Sequence, residues 1–352
     1  MAIDLPTHWA ADAEFRKLAE WEPHKAVWVA WPWDDTDWQD ELPKAQQELA
    51  QLCQGIINLD DSNDAQGEAV HMLVRNPDDE HAARLALGMS AKHVRFYHLP
   101  TGDLWLRDTA PVFMRNDAGN DAAVCFKFNG WGGKYLYPDD VLVAKRIAAA
   151  SEVTRFDVPL ILEGGGLEFD GEGTCLTTRQ CLLHPKRNPT LDEAHIEDIL
   201  KRSLGMQKVL WLDKGLLNDH TDGHIDNLAR FVAPGAVVCT SPHPKEEPNS
   251  AVLSDIHNQL SLFKDARGRS LKVMTLPSPG LVAREDGSPY PASYLNFYIA
   301  NSTVIVPAFG KETDTVAKDI LAPLFPTRRV ISLPALSLLT GGGTFHCITQ
   351  QQ

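Results

Sequence analysis

A thiol placed directly after a glycine run is the first chemical feature of this sequence. Gly341, Gly342 and Gly343 precede Thr344, Phe345, His346 and Cys347, with Ile348, Thr349 and Gln350 following. Glycines permit positive φ and remove side-chain bulk, so backbone and ligand can approach closely where a cysteine nucleophile would meet its target. The competing reading is a structural cysteine, the usual role of a lone cysteine near a chain end. His346 adjoins Cys347, but neighbours along a strand point to opposite faces, so the base is expected from elsewhere.

Residues 219–227, Asp-His-Thr-Asp-Gly-His-Ile-Asp-Asn, offer that base. The HxD spacing predicts His224 and Asp226 on one face of an extended segment, a proton carrier beside a carboxylate. His220 and His224 also share the i,i+4 spacing of zinc-binding helices. Asp222-Gly223 is a poor helix interior, however, and no third ligand stands at a metal-site spacing, so no metal is expected. Glu163 heads Glu163-Gly164-Gly165-Gly166 after the apolar run 158–162, a carboxylate at a strand end beside bare backbone. No Lys-Ser/Thr follows and Leu167-Glu168-Phe169 reads as strand, which excludes a phosphate loop and leaves a capping or turn role as the alternative. Asp103-Leu104-Trp105-Leu106-Arg107-Asp108 holds two carboxylates and an indole. Carboxylates clamp guanidinium groups through paired hydrogen bonds, and aromatic faces pack against the stems of such cations. An internal Arg107–Asp108 ion pair is the plainer explanation.

The elements that must position these residues alternate from end to end. Residues 67–76, 122–129, 174–184, 235–241 and 302–309 are short apolar, β-branched runs bounded by turn residues and read as strands. Residues 41–59, 79–87, 140–150, 191–204, 249–265 and 311–325 have helical period. No linker or charge block divides the chain, so residues 1–352 are expected to form a single domain. Asp108, Glu163, His224, Asn296 and Cys347 each stand at the mouth of an apolar strand, at intervals of 55, 61, 72 and 51 residues. Such spacing suits units of about four elements each, and if the units surround an axis the five polar residues converge. Most α/β proteins also carry polar residues at strand ends, so the pattern alone leaves both readings open.

Bulk properties narrow the function classes. A formal charge of −14 argues against nucleic acid, whose phosphates need basic patches, and suits a cationic ligand, although solubility explains it as well. No stretch approaches about 18 apolar residues and the opening MAIDLPTHWAADAEFRKL lacks a signal-like core, so a cytoplasmic, membrane-free protein is expected. Cys53, Cys125, Cys175, Cys181, Cys239 and Cys347 are scattered without a CxxC pair, unlike a disulfide framework or a zinc ribbon.

Taken in order, WEPHKAVWVAWP (21–32), DLWLRDTAP (103–111), FNGWGGKY (128–135), EGGGLEFDGEGT (163–174), TDGHIDN (221–227), PASYLNFYIAN (291–301) and GGGTFHCITQQ (341–351) resemble the agmatine deiminase family of the guanidino-group-modifying superfamily. The motifs span nearly the whole chain. The resemblance implies an α/β fold, a five-bladed α/β propeller of pseudo-repeated ββαβ units around a central active-site pocket. It further implies hydrolytic deimination of agmatine to N-carbamoylputrescine and ammonia, with Cys347 attacking the guanidinium carbon. His224 would shuttle protons, Glu163 would orient and charge His224, and Asp108 with Asp226 would grip the guanidinium nitrogens. Trp105, Asp103, Asp222 and Gly342 complete the expected substrate-binding set. The partner is a small cationic guanidino substrate, without nucleic acid, membrane or cofactor, and a homodimer is left open. Arginine, peptidyl arginine or another guanidino compound, and amidino transfer to an amine, are the alternatives. One departure stands out: the family often carries two polar residues before the x-Trp-x-Arg-Asp segment, whereas Gly102 precedes Asp103 here.

Overall fold

The computed structural model describes residues 5–243 and 248–352. Strand β1 (Ala26–Ala30, AVWVA) is buried at all five positions, the pattern of a strand covered on both faces. Strands β2 (Ala69–Val74) and β3 (Val94–His98) lie parallel beside it. Four three-stranded sheets follow in succession. They are β4 (Val112–Arg115), β5 (Asp121–Lys127) and β6 (Thr154–Ile161); β7 (Glu168–Phe169), β8 (Thr174–Thr178) and β9 (Lys208–Leu212); β10 (Ala229–Ala233), β11 (Ala236–Ser241) and β12 (Lys272–Pro277); and β13 (Tyr298–Ile299), β14 (Thr303–Ala308) and β15 (Arg329–Pro334). In each, the first two strands are antiparallel and the third is parallel to the second. A parallel return needs a crossover, and a helix supplies it each time: Asp140–Ala150, Glu193–Leu204, Ser250–Leu262 and Thr313–Leu321.

The last strand, β16 (Gln350–Gln351), pairs antiparallel with β1, so both ends of the chain complete one sheet in the order β16-β1-β2-β3. Counted from β16, this sheet repeats the antiparallel-then-parallel order of the other four, with helix Leu42–Ile57 as its crossover and Pro77–Leu87 leading to the extra strand β3. The five sheets are the blades of a five-bladed α/β propeller. Asp108, Glu163, His224, Asn296 and Cys347 each sit within a few residues of the first strand of a blade, which brings them together at one end of the axis.

Apolar side chains between blades and helices supply the rigidity this end needs. Helix Leu42–Ile57 buries Ala45, Leu49, Leu52, Cys53 and Ile56 on one face, and each large side chain so buried contributes about 1.5–3 kcal/mol. Asn76 caps helix Pro77–Leu87, its side-chain oxygen accepting from the amides of Asp78 and Asp79, with Pro77 pre-set for the first turn. All six cysteines are buried and free. Among the described residues no helix is long and apolar enough to cross a membrane.

Two local expectations change. The run 174–184 is strand only to Thr178, whose hydroxyl accepts from the Cys181 amide and starts the short helix Arg179–Leu182. His224 and Asp226 do not lie on an extended segment: Ile225–Asn227 is a 3₁₀ turn. Its tight winding still turns both side chains toward the axis, as their contacts below show.

Candidate active site

Cys347 lies in a turn rather than a strand, three residues before β16, and is buried. Asn296, which precedes β13, holds that turn. Its Oδ1 accepts from Thr344 Oγ1 at 2.9 Å and from the amide of His346 at 3.0 Å, while its Nδ2 donates to Cys347 Sγ at 3.1 Å. The sulfur is also 3.5 Å from Asp226 Oδ2. The glycine run is required by close approach: a Cβ on Gly343 would stand 2.9 Å from Cys347 Sγ and 2.9 Å from the Trp105 ring. Burial and the carboxylates of Asp226 and Asp108 push the Cys347 thiol well above its usual range.

Two carboxylates flank His224. Its ring is fully buried, with Nδ1 3.7 Å from Asp108 Oδ1 and Nε2 3.7 Å from Glu163 Oε2, and neither nitrogen has a closer hydrogen-bond partner. Burial works against its charged form, but Asp108, Cys181 and Glu163 outweigh it and hold the imidazole protonated well above the ordinary histidine range. Asp108 accepts from Trp131 Nε1 at 2.8 Å and from the Gly165 amide at 3.0 Å. The Arg107–Asp108 pair is not formed: Arg107 turns to Gln351 Oε1 at 2.7 Å, the His346 carbonyl at 3.2 Å and Glu20 at 3.4 Å.

Above the sulfur opens a cavity of about 240 Å³. Asp108 and Cys347 line its floor, and Trp38, Trp105, Trp131, Tyr135 and Tyr137 form much of its wall. Trp38 and Trp105 stack at 6.2 Å. Asp103 lines the cavity and accepts from Trp105 Nε1 at 2.6 Å; Gly342 lines it as well. The Gly102 departure has a steric cause, since a Cβ there would lie 2.1 Å from Cβ of Tyr137. Tyr137 fills the space that a side chain at position 102 would need.

Asp222, like His224, Asp226 and Glu163, is not among the cavity-lining residues, and its two oxygens are occupied by Lys134 Nζ at 2.6 Å and Arg187 Nη1 at 2.7 Å. Sequence reasoning missed Arg187, which is buried with its Nε 2.8 Å from Glu163 Oε2 and thereby fixes Glu163 beneath His224. His224 and Arg187 keep the Glu163 carboxyl below the usual range against its burial. In space rather than along the chain, Glu163, Cys181 and His224 bring their donor atoms within 4.8 Å of one another. The Arg187 cation already engages that carboxylate, so the cluster reads as an ion-paired relay.

One pH dependence follows. Burial, with Asp226 and Glu163 nearby, pushes the Asp108 carboxyl up to about 6 despite the opposing charge of His224. A raised carboxyl loses its charge as pH falls through that value, and kcat/KM reports the free enzyme. For a cationic substrate, kcat/KM is expected to fall toward a slope of one below about pH 6. A profile that stays flat to about pH 5 would remove Asp108 from cation binding.

A sequence profile of the Porphyromonas-type peptidyl-arginine deiminases matches residues 16–352. The chain belongs to that family. Within the guanidino-group-modifying superfamily, its relatives include agmatine deiminases. A protein of Marinomonas sp. (strain MWYL1), provisionally named an agmatine deiminase, is 39% identical over 96% of this chain and 94% of its own length. The agmatine deiminase of Enterococcus faecalis, described as catalysing its reaction, is 33% identical and superposes with a TM-score of 0.91 over 100% of this chain and 99% of its own. The C. jejuni agmatine deiminase with substrate bound, in a cysteine-to-serine form, is 25% identical with a TM-score of 0.85 over 96% of each chain. This member of the family therefore keeps the deiminase fold over essentially the full length of its relatives.

Proposed function

We propose that the whole chain acts as one catalytic domain that hydrolytically deiminates agmatine to N-carbamoylputrescine and ammonia. One observation carries the reading: Cys347 and Asp108 line an aromatic-walled cavity of small-molecule size, with Asp226 3.5 Å from the sulfur and His224 3.7 Å from Asp108 directly behind them. The agmatine deiminases among its relatives, one of them with substrate bound, support it.

The chemistry follows from the charges. In the empty site Asp108 and Asp226 hold the thiol protonated. A guanidinium placed between them neutralises their field, so the thiol releases its proton to solvent and becomes a thiolate only when its electrophile is present. Cys347 Sγ attacks the guanidinium carbon, forming a C–S bond and a tetrahedral adduct. His224, held protonated by its neighbours, donates to the departing nitrogen; the C–N bond breaks and ammonia leaves. The resulting S-alkylthiouronium is attacked by water, whose proton passes to the now neutral His224, and cleavage of the C–S bond returns the thiolate and releases the ureido product. Glu163, anchored by Arg187, stabilises the histidine through each change of charge.

Arginine as substrate has one observation in its favour. Arg284 Nη2 is 3.2 Å from Nε2 of His220, a cavity-lining residue, which places a guanidinium behind the rim. Arg284 does not itself line the cavity; it donates to the Pro289 carbonyl at 2.6 Å and lies over the Tyr290 ring. The first experiment is incubation with agmatine and no acceptor amine. Stoichiometric ammonia and N-carbamoylputrescine are the expected products. Turnover that appears only when an amine is added would make the protein an amidinotransferase.

A further inference from the structure

Beneath the sulfur, behind Asp226, a buried row continues through two ionisable groups that the deimination scheme does not use, His346 and Glu20. Glu20 Oε2 is 2.8 Å from His346 Nε2, and His346 Nδ1 is 2.8 Å from Asp226 Oδ2. The same Asp226 oxygen is 3.5 Å from Cys347 Sγ. Glu20, His346 and Asp226 are all at most 6% exposed. Glu20 is fixed in turn: its Oε1 accepts from the Ile299 amide at 2.9 Å and is 2.9 Å from Arg230 Nη2.

Proton counting constrains this row. A nitrogen and a carboxylate oxygen at 2.8 Å must share a proton, because two lone pairs at that separation repel. Both ring nitrogens face carboxylate oxygens, so the three groups hold two protons between them. Asp226 Oδ2 is thereby occupied, while Asp226 Oδ1, buried and without a partner, is left open.

Accordingly, we propose that His346, held by Glu20, is a positioning residue that turns Asp226 and keeps it ionised, so that Oδ1 receives a guanidinium nitrogen. This deepens the functional reading above and rests on it. The sequence expectation set His346 apart from the sulfur on the premise of a strand; here the segment is a turn, and both ring nitrogens face carboxylates, Glu20 and Asp226. Burial, Arg107 and Arg230 lower the His346 imidazole against the opposing pull of Glu20 and Asp226; the other charged groups facing the pair are Glu168 beyond Arg230, and His224, Asp108 and Cys347 on the pocket side. The hydrogen bond and charge of His346 lower the Asp226 carboxyl against the strong upward push of burial.

The sign of the test follows. Without His346, Asp226 takes up a proton at higher pH. A neutral Asp226 binds a cation less well, yet it also stops suppressing the Cys347 thiolate. His346→Asn should therefore slow alkylation of Cys347 by cationic chloroacetamidine while speeding alkylation by neutral iodoacetamide. The ratio of the two rates, relative to wild type, is expected to fall about tenfold or more near pH 6, one decade for each unit by which the carboxyl rises. The acid limb of kcat/KM should steepen from slope one toward slope two as a second carboxylate begins to titrate. If His346→Asn does not fold, Glu20→Gln removes the anion that supports the charged ring and should move the ratio the same way. A merely structural role would change both alkylation rates by the same factor and leave the limb in place, and that outcome overturns the proposal. The substrate need not be known for the labelling arm. Should the wild-type thiol show no preference for the amidine over iodoacetamide beyond their intrinsic reactivities, the Asp108–Asp226 clamp itself would be wrong.

Discussion

Cys347→Ser and Cys347→Ala are expected to abolish turnover, with a loss of about 10⁴-fold or more, while leaving the fold intact. The size follows from the role: when a covalent step is removed, only binding and electrostatic effects remain. Serine is nearly isosteric and can still accept from Asn296 Nδ2, but its hydroxyl ionises far less readily than a thiol between the same carboxylates. Alanine leaves a gap of about one sulfur atom, small beside a core in which neighbours such as Phe345 and Ile348 stay buried. The Cys347 turn should survive, because Asn296 also holds it through the Thr344 hydroxyl and the His346 amide. Unchanged thermal unfolding with no ureido product is the predicted result. Either variant keeping more than about 1% of activity would exclude Cys347 as the nucleophile.

Much of this site was legible because the polar residues stand beside strands whose register is set by burial. The recurrence of Asp108, Glu163, His224, Asn296 and Cys347 reports the start of five blades, and the structure places each just ahead of β4, β7, β10, β13 and β16. Those first strands are short, two residues in β7, β13 and β16, too few for an alternating pattern to be read. Pairing to a longer antiparallel partner defines them instead. Long helices with an apolar stripe were found nearly to the residue, as for Asp140–Ala150.

What could not be read is long-range. Arg187 lies in a loop with no motif, and its burial against Glu163 exists only once β6 and the following helix are packed. Glu20 reaches His346 across 326 positions, joining the two ends of the chain. Asp222 sits inside a strong motif and was therefore expected at the substrate, but the backbone turn at Asp222–Gly223, both with positive φ, sends its carboxylate to Lys134 and Arg187. Spacing identifies neighbours in sequence, whereas the partner of a buried charge is chosen by the whole fold.

Agmatine should be favoured over arginine by about 10³-fold or more in kcat/KM, and this is the comparison on which the substrate assignment turns. Both molecules present the same guanidinium to Asp108 and Cys347, so the difference must arise at the far end of the cavity. There agmatine carries an ammonium and arginine adds a carboxylate. The walls are the rings of Trp38, Trp105, Tyr135 and Tyr137, with the Asp103 carboxylate among them and Tyr137 seated over Gly102. An alkyl chain packs well on such faces, and a cation is attracted to both ring and carboxylate. A second carboxylate would be desolvated beside Asp103, and burying a charge without a partner costs several kcal/mol; at about 1.4 kcal/mol per tenfold, three decades is the corresponding selectivity. The measurement is kcat/KM for the two compounds on one preparation, counting N-carbamoylputrescine and citrulline. Equal efficiencies would mean that His220 moves aside and Arg284, now 3.2 Å behind it, reaches the cavity to receive the carboxylate. His220→Ala and Arg284→Ala would then lower turnover of arginine but not of agmatine, and the reaction class would stand with a different substrate.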